Sequence, residues 1–151
     1  MKILLTASSG GHLEQLKQLA PLCDEHEVKW LVCKNPVNQS LSGVEFMPEY
    51  RNEKKIAKFF DFIKIYFATK KILKTFKPDV VISTGAGATF LCCYLQKKIM
   101  KKKVIFIESF AKRHSPTKTG KRVYKFADAF IVQWEEMKEF YPNAIVGGMI
   151  Y

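Results

Sequence analysis

Two short glycine-bearing segments hold the residue types best suited to chemistry. The first is Ser8-Ser9-Gly10-Gly11-His12 and the second is Ser83-Thr84-Gly85-Ala86-Gly87. Each follows an apolar run that reads as a buried strand, Ile3 to Ala7 and Asp79 to Ser83, and each leads into a helical pattern. Glycine lets the backbone approach a ligand closely, and a helix start offers free N–H groups and a positive dipole end to a phosphate. Ser8, Ser9, Ser83 and Thr84 are candidate hydroxyl donors beside them. Neither segment has the spacing of a Walker P-loop or of a dinucleotide fingerprint. Taken singly, each is equally a tight strand-to-helix turn; it is the pair in one small domain that points toward binding.

His12 stands at the first helical turn beside the glycines. An imidazole there suits general-base work near neutral pH, and the plainer alternative is a helix-start residue bonded to local backbone. Glu108 ends the strand Val104 to Ile107 on the same presumed ligand edge, where a carboxylate could hold sugar hydroxyls or orient a base. An ordinary exposed loop glutamate is the alternative. The segment after it carries Lys112, Arg113, His114, Lys118, Lys121 and Arg122, enough positive charge to meet a diphosphate or simply a solvated loop. No metal site is suggested by ligand spacing, and no cofactor is implied.

Positioning these groups requires a scaffold, and the hydrophobic pattern supplies one. Strands are expected at 3–7, 28–33, 44–47, 79–83, 104–107, 129–132 and 144–146, with helices at 12–22, 53–76, 88–100, 123–127 and 135–141. Alternating strands and helices imply an α/β fold, a Rossmann-like parallel sheet with helices on both faces, as a single domain over residues 1–151. In such sheets ligands bind at the carboxyl ends of the strands, where both glycine segments fall.

The chain carries 25 Lys and Arg against 14 Asp and Glu, a net charge of +11 that calls for an anionic partner. Cys23, Cys33, Cys92 and Cys93 lie in apolar stretches without a CxxC pair, as small hydrophobes of a reducing compartment do. The opening apolar run is too short for a signal peptide, and no stretch reaches the ~18 apolar residues of a membrane span. Surface contact with a membrane remains open. On the 53–77 segment, Phe59, Phe60, Ile63 and Phe67 form part of a wide apolar face, with Lys55 among the lysines around it. Phe62 and Ile65 widen that face beyond what one sheet contact needs, so the helix is expected both to cover the sheet and to dock on anionic lipid. Nucleic acid is disfavoured as the partner, because no nucleic-acid fold signature accompanies the charge.

Taken in order, Ser9-Gly10-Gly11-His12, Ser83-Thr84-Gly85-Ala86-Gly87, Glu108-Ser109-Phe110-Ala111, Thr119-Gly120-Lys121 and Val132-Gln133-Trp134 with Tyr141-Pro142 resemble one family. It is the anchor subunit of the two-component N-acetylglucosaminyltransferase that extends dolichol-linked GlcNAc, and the chain looks closer still to bacterial capsule and exopolysaccharide members. The resemblance implies the N-terminal, acceptor-side half of a GT-B enzyme split between two polypeptides. It implies a heterodimer with a donor-binding partner, a shared UDP-sugar, and a polyprenyl-diphosphate-linked acceptor at the cytoplasmic face of the membrane. It makes His12 the candidate base with Glu108 at the site. It implies that Gly10 and Gly11 face the acceptor diphosphate, and the two glycine segments, through Ser9, Gly10, Gly11, Thr84, Gly85, Ala86 and Gly87, are expected to hold it together with Arg113 and Lys121. A chain with no room for a second nucleotide-binding domain should not complete catalysis alone. The rival expectation is a non-catalytic scaffold that only recruits the enzyme.

Overall fold

The structure is a computed structural model, and it describes residues 1–35, 43–49 and 55–150, the side chains of 55–58 excepted. Among the described residues seven parallel strands form one sheet in the order β3-β2-β1-β4-β5-β6-β7. They are β1 (Lys2–Ala7), β2 (Glu27–Cys33), β3 (Val44–Met47), β4 (Val80–Gly85), β5 (Lys103–Ile107), β6 (Ala129–Val132) and β7 (Ile145–Val146). The order reverses between β1 and β4, so a crevice opens where their carboxyl ends diverge. Both glycine segments lie at that switch point.

The central strands are buried on both faces, which is why they read as continuous apolar runs. Along β1, Leu4 enters one core with Leu31, Val81, Ile65, Ile72 and Leu73, whereas Ile3, Leu5 and Ala7 face a second core with Leu13, Leu16 and Ile107. The first layer is covered by α3 (Lys55–Phe76), α4 (Thr89–Tyr94) and α5 (Lys118–Val123). The second is covered by α1 (Gly11–Lys17) and the single turn α2 (Leu22–Glu25). The expected fold class is the one observed.

Several boundaries differ from expectation for physical reasons. The 12–22 helix stops at Lys17 and is followed by turns before Pro21 caps α2. The 88–100 helix widens after Tyr94 into a π-helical turn over Leu95–Ile99. The helix expected at 123–127 instead runs Lys118–Val123, because the Thr117 hydroxyl accepts the Gly120 N–H at 2.8 Å and starts it five residues earlier. Gly120 inside that turn reads as a breaker in sequence but is demanded by packing. A Cβ there would overlap the Glu108 carboxylate and stand 2.6 Å from the Tyr141 hydroxyl.

Helix α3 carries two apolar faces. Ile65, Ile72, Leu73 and Phe76 are buried against the sheet, while Phe59, Phe60, Phe62 and Phe67 are exposed and Ile63 is half-buried. Residues 59, 63, 66, 70 and 74 recur at helical spacing along one flank of α3, where Tyr66 packs partly against the core. Lys55 is the first residue of α3, and its side chain lies outside what is described, as do the whole of Lys54 and residues 36–42, where a loop is expected from sequence. Among the described residues no helix is long and apolar enough to cross a membrane.

Candidate functional site

The two glycine segments, 72 residues apart at their closest pairing, are zipped to each other. His12 Nδ1 lies 2.6 Å from the Thr84 carbonyl, and the Thr84 hydroxyl donates to the His12 carbonyl at 2.7 Å. The Ser8 N–H donates to the Gly85 carbonyl at 2.7 Å, and the Ala86 N–H donates to the Ser8 hydroxyl at 3.2 Å. A carbonyl oxygen can only accept, so Nδ1 carries the proton and donates it to Thr84. The lone pair of the neutral ring is then on Nε2, the form a general base needs. Gly85 is glycine for a reason of space and backbone: its φ is +98°, and a Cβ would stand 3.2 Å from His12 Cε1.

This zip corrects the expectation that the hydroxyls face a ligand. The Ser83 hydroxyl donates to Thr89 Oγ1 at 2.9 Å and accepts the Gly85 N–H at 3.1 Å. Thr84 and Gly85 are buried, and the amides of Gly85 and Ala86 are taken up inside the protein. These residues therefore position His12. Gly10, Gly11 and Gly87 remain exposed at the crevice, and the Gly11 and His12 amides open the first turn of α1, where no intrahelical acceptor exists.

Ser9 shows a partner that sequence reasoning missed. Its hydroxyl donates to Glu49 Oε1 at 2.6 Å, which brings a carboxylate from beyond β3 to the edge of the glycine turn. Only strand order reveals this, because β3 reaches the site through β2 and not through sequence spacing. The buried Cys33 thiol at the end of β2 is pushed up to about 12, by burial first and by the Glu49 carboxylate second.

Glu108 is buried, 1% exposed, and its carboxylate is saturated. Oε2 accepts the Tyr141 hydroxyl at 2.7 Å, the Thr117 hydroxyl at 3.1 Å and the Thr117 N–H at 3.2 Å, while Oε1 accepts the Ser109 N–H at 2.9 Å. Burial, and then the neighbouring carboxylate, push the Tyr141 hydroxyl well above its ordinary range. Glu108 thus braces the loop 109–117 and the start of α5 instead of presenting oxygen to a ligand. Gln133 extends the brace: its Nε2 donates to the Glu108 carbonyl at 2.9 Å and to Gln15 Oε1 at 3.3 Å, tying β6 to the helix that bears His12. The Ile150 N–H donates to Gln133 Oε1 at 3.1 Å, so the C-terminal tail reaches the same buried amide.

Of the two cations expected near a diphosphate, Arg113 is engaged elsewhere. Its Nε and terminal nitrogen donate to Glu136 Oε1 at 2.9 and 2.6 Å, and its guanidinium stacks 4.9 Å from the Trp134 ring. Hydrogen bonding from Arg113 holds the Glu136 carboxyl below its usual range. Lys121 is exposed on α5 without an ion pair among the described residues. Among the described residues no three His, Cys, Asp or Glu side chains cluster as a metal would require.

Comparison with known proteins follows the same lines. The UDP-N-acetylglucosamine transferase subunit ALG14 of Mus musculus is 25% identical over 184 aligned positions, covering 99% of this chain and 83% of the mouse protein. A second relative, the UDP-N-acetylglucosamine–N-acetylmuramyl-(pentapeptide) pyrophosphoryl-undecaprenol N-acetylglucosamine transferase of Crocosphaera subtropica, is 26% identical over 94% of this chain and 42% of its own. The crystal structure of Acinetobacter baumannii MurG superposes with a TM-score of 0.69 at 15% identity, over 98% of this chain and 44% of MurG, a likeness of fold. The chain spans less than half the length of most curated relatives it matches. The family described as oligosaccharide biosynthesis protein Alg14 like matches residues 51–150, about two thirds of the sequence. The chain therefore belongs to the Alg14-like family of oligosaccharide biosynthesis proteins.

Proposed function

We propose that this chain is the acceptor-side subunit of a two-component UDP-sugar glycosyltransferase, a hexosyltransferase that extends a polyprenyl-diphosphate-linked sugar in capsular or exopolysaccharide biosynthesis. The observation that carries the reading is the His12 ring, held by Thr84 at 2.6 Å in the tautomer that leaves Nε2 basic at the switch-point crevice. Nε2 takes the proton of the acceptor hydroxyl as that oxygen attacks the anomeric carbon of the sugar. The new C–O bond forms while the bond to UDP breaks, with inversion, and UDP leaves into the partner subunit.

Gly10, Gly11 and Gly87 let the acceptor diphosphate approach the backbone, with Lys121 supplying charge. The donor-binding partner completes the second half of the site, in keeping with relatives named as subunits. The exposed Phe59, Phe60 and Phe67, with half-buried Ile63, dock α3 on the cytoplasmic membrane face, and a net charge of +11 favours an anionic leaflet.

The test is transferase activity on membranes supplied with lipid-linked acceptor and a panel of UDP-sugars, using this chain, its partner and both together. Activity is expected only from the pair, and His12→Ala should lower it by about 10²–10⁴. Full activity from the partner alone, or an unimpaired His12→Ala pair, would leave this chain as a scaffold and sink the catalytic assignment.

A further inference from the structure

One flank of α3 does not end at its aromatic residues. The stripe of Phe59, Ile63 and Tyr66 runs on to Lys70 and Lys74 at helical spacing. There the helix diverges from the π-helical turn Leu95–Ile99, and a cavity of about 280 Å³ opens between them. Tyr66, Leu73, Leu95, Ile99 and Met100 make its walls, and Lys70 and Lys74 are its only charged lining residues. The π-turn presents Ile99 to solvent, 65% exposed beside the opening.

Two observations choose the occupant. Charge is the first. None of the ion pairs among the described residues uses Lys70 or Lys74, and the Lys70 ammonium rests 5.2 Å from the Tyr66 ring instead. Lys71, Lys77, Lys98 and Lys101 are exposed nearby in sequence on the same two elements and their ends. An apolar slot framed by unpaired ammonium groups fits a molecule with a hydrocarbon chain and an anionic head. Position is the second. Helix α3 runs from the carboxyl edge of the sheet back to its amino edge, and Phe76 at its end lies 5.5 Å from the Lys2 ammonium at the start of β1. Lys70, in the middle of the α3 lining, lies about 9 Å along the helix from Phe76, so the slot sits toward the amino edge and away from the glycine crevice. A phosphate held there by Lys70 and Lys74 is not the diphosphate that meets His12.

We propose that this slot binds one acyl chain of an anionic phospholipid, with Lys70 and Lys74 holding its headgroup phosphate. The inference rests on the membrane-docked reading above and adds to it a discrete lipid site distinct from the aromatic stripe. Stripe and slot together would lay α3 lengthwise on the leaflet, leaving the glycine crevice at the far end to face the lipid-linked acceptor.

The test uses the full chain and dihexanoyl phosphatidylglycerol below its micelle concentration, followed by calorimetric titration. Saturable binding of one lipid per chain is expected. Dihexanoyl phosphatidylcholine should bind at least about tenfold more weakly, and glycerol 3-phosphate should not saturate. Ile99→Glu, and separately Lys70→Glu with Lys74→Glu, should abolish binding while leaving the thermal midpoint in place. Phe59→Ser with Phe67→Ser should release the chain from phosphatidylglycerol vesicles yet keep the short-chain lipid bound, so the slot and the docking stripe fail separately. Absence of saturation, equal binding of phosphatidylcholine, retention of binding by Ile99→Glu, or tighter binding of farnesyl phosphate would each overturn the assignment.

Discussion

Replacing Glu108 with Gln separates a bracing carboxylate from a reacting one. The side chain is 1% exposed and accepts four hydrogen bonds, from Ser109 N–H, Thr117 N–H, Thr117 hydroxyl and Tyr141 hydroxyl. Glutamine has one acceptor oxygen. Its best orientation keeps that oxygen on the three donors at the Oε2 position and turns the amide NH₂ toward the Ser109 N–H, donor against donor. One charge-assisted bond is lost, at ~1.5–3 kcal/mol, and the part-buried Ser109 N–H is left unpaired at about 1 kcal/mol, the low end of that penalty. Removing a buried charge returns part of this cost. A net loss of about 3 kcal/mol follows, which for a domain of this size lowers Tm by about 6–12 °C. Urea and thermal unfolding of Glu108→Gln, Tyr141→Phe and the double variant measure it, and the pair should couple by more than about 0.5 kcal/mol. Below both midpoints the paired enzyme should keep activity within about tenfold of wild type, whereas a proton-transfer role costs about 10²–10⁴. An unchanged Tm with activity down a hundredfold would refute the bracing argument.

Three further outcomes follow from the same geometry. Gly85→Ala places a methyl 3.2 Å from His12 Cε1 on a backbone with φ +98°, so kcat of the paired enzyme should fall at least about tenfold. Partner affinity should not change, and a wild-type kcat would show that His12 tolerates displacement. Native chain treated with iodoacetamide near neutral pH should gain one adduct, at exposed Cys23, and four in urea. Burial pushes Cys33 and Cys93 up to about 12 and Cys92 well above its ordinary value, which mass spectrometry of the adducts checks. Burial opposes ionisation of Asp128, but the bonds from Lys97 at 2.6 Å and the Val104 N–H at 2.9 Å outweigh it and hold its carboxyl below the usual range. A depressed folded-state value contributes stability above the unfolded value near ~3.9 and loses it as pH falls through the folded one. Asp128→Asn should therefore lower the urea midpoint at neutral pH, with the gap to wild type closing below about pH 4.

The fold was legible because its central strands are buried on both faces and carry apolar runs such as residues 3–5 in β1 and 80–82 in β4. The glycine segments were legible as well, since strand ends and turn residues coincide in sequence. What stayed hidden were the pairings. Thr84 reads as a ligand donor by type, yet its hydroxyl closes on a carbonyl 72 residues away. Glu49 carries no local signal at all, and only the β3-β2-β1 order brings it to Ser9. Gly120 reads as a helix breaker, and packing against Glu108 and Tyr141 overrides that propensity. The doubled apolar face of α3 was visible as an excess of aromatics, but not which of them the sheet would consume.

The reciprocal bonds between His12 and Thr84 also govern when the site comes into being. Local contacts can form α1 and β1 as soon as they are made, but the imidazole has nothing to orient it until β4 has docked beside β1. That contact closes a loop of 72 residues, so its entropy must be met by the β1 and β4 ladder before the ring is fixed. During synthesis the nascent chain would hold an unoriented histidine until Thr84 has left the ribosome and α3 has folded over the sheet. The proposed catalytic geometry and the helix proposed to face lipid are thereby tied to a single cooperative event, and a ribosome-bound chain stalled before β4 should not bind the proposed acceptor or partner.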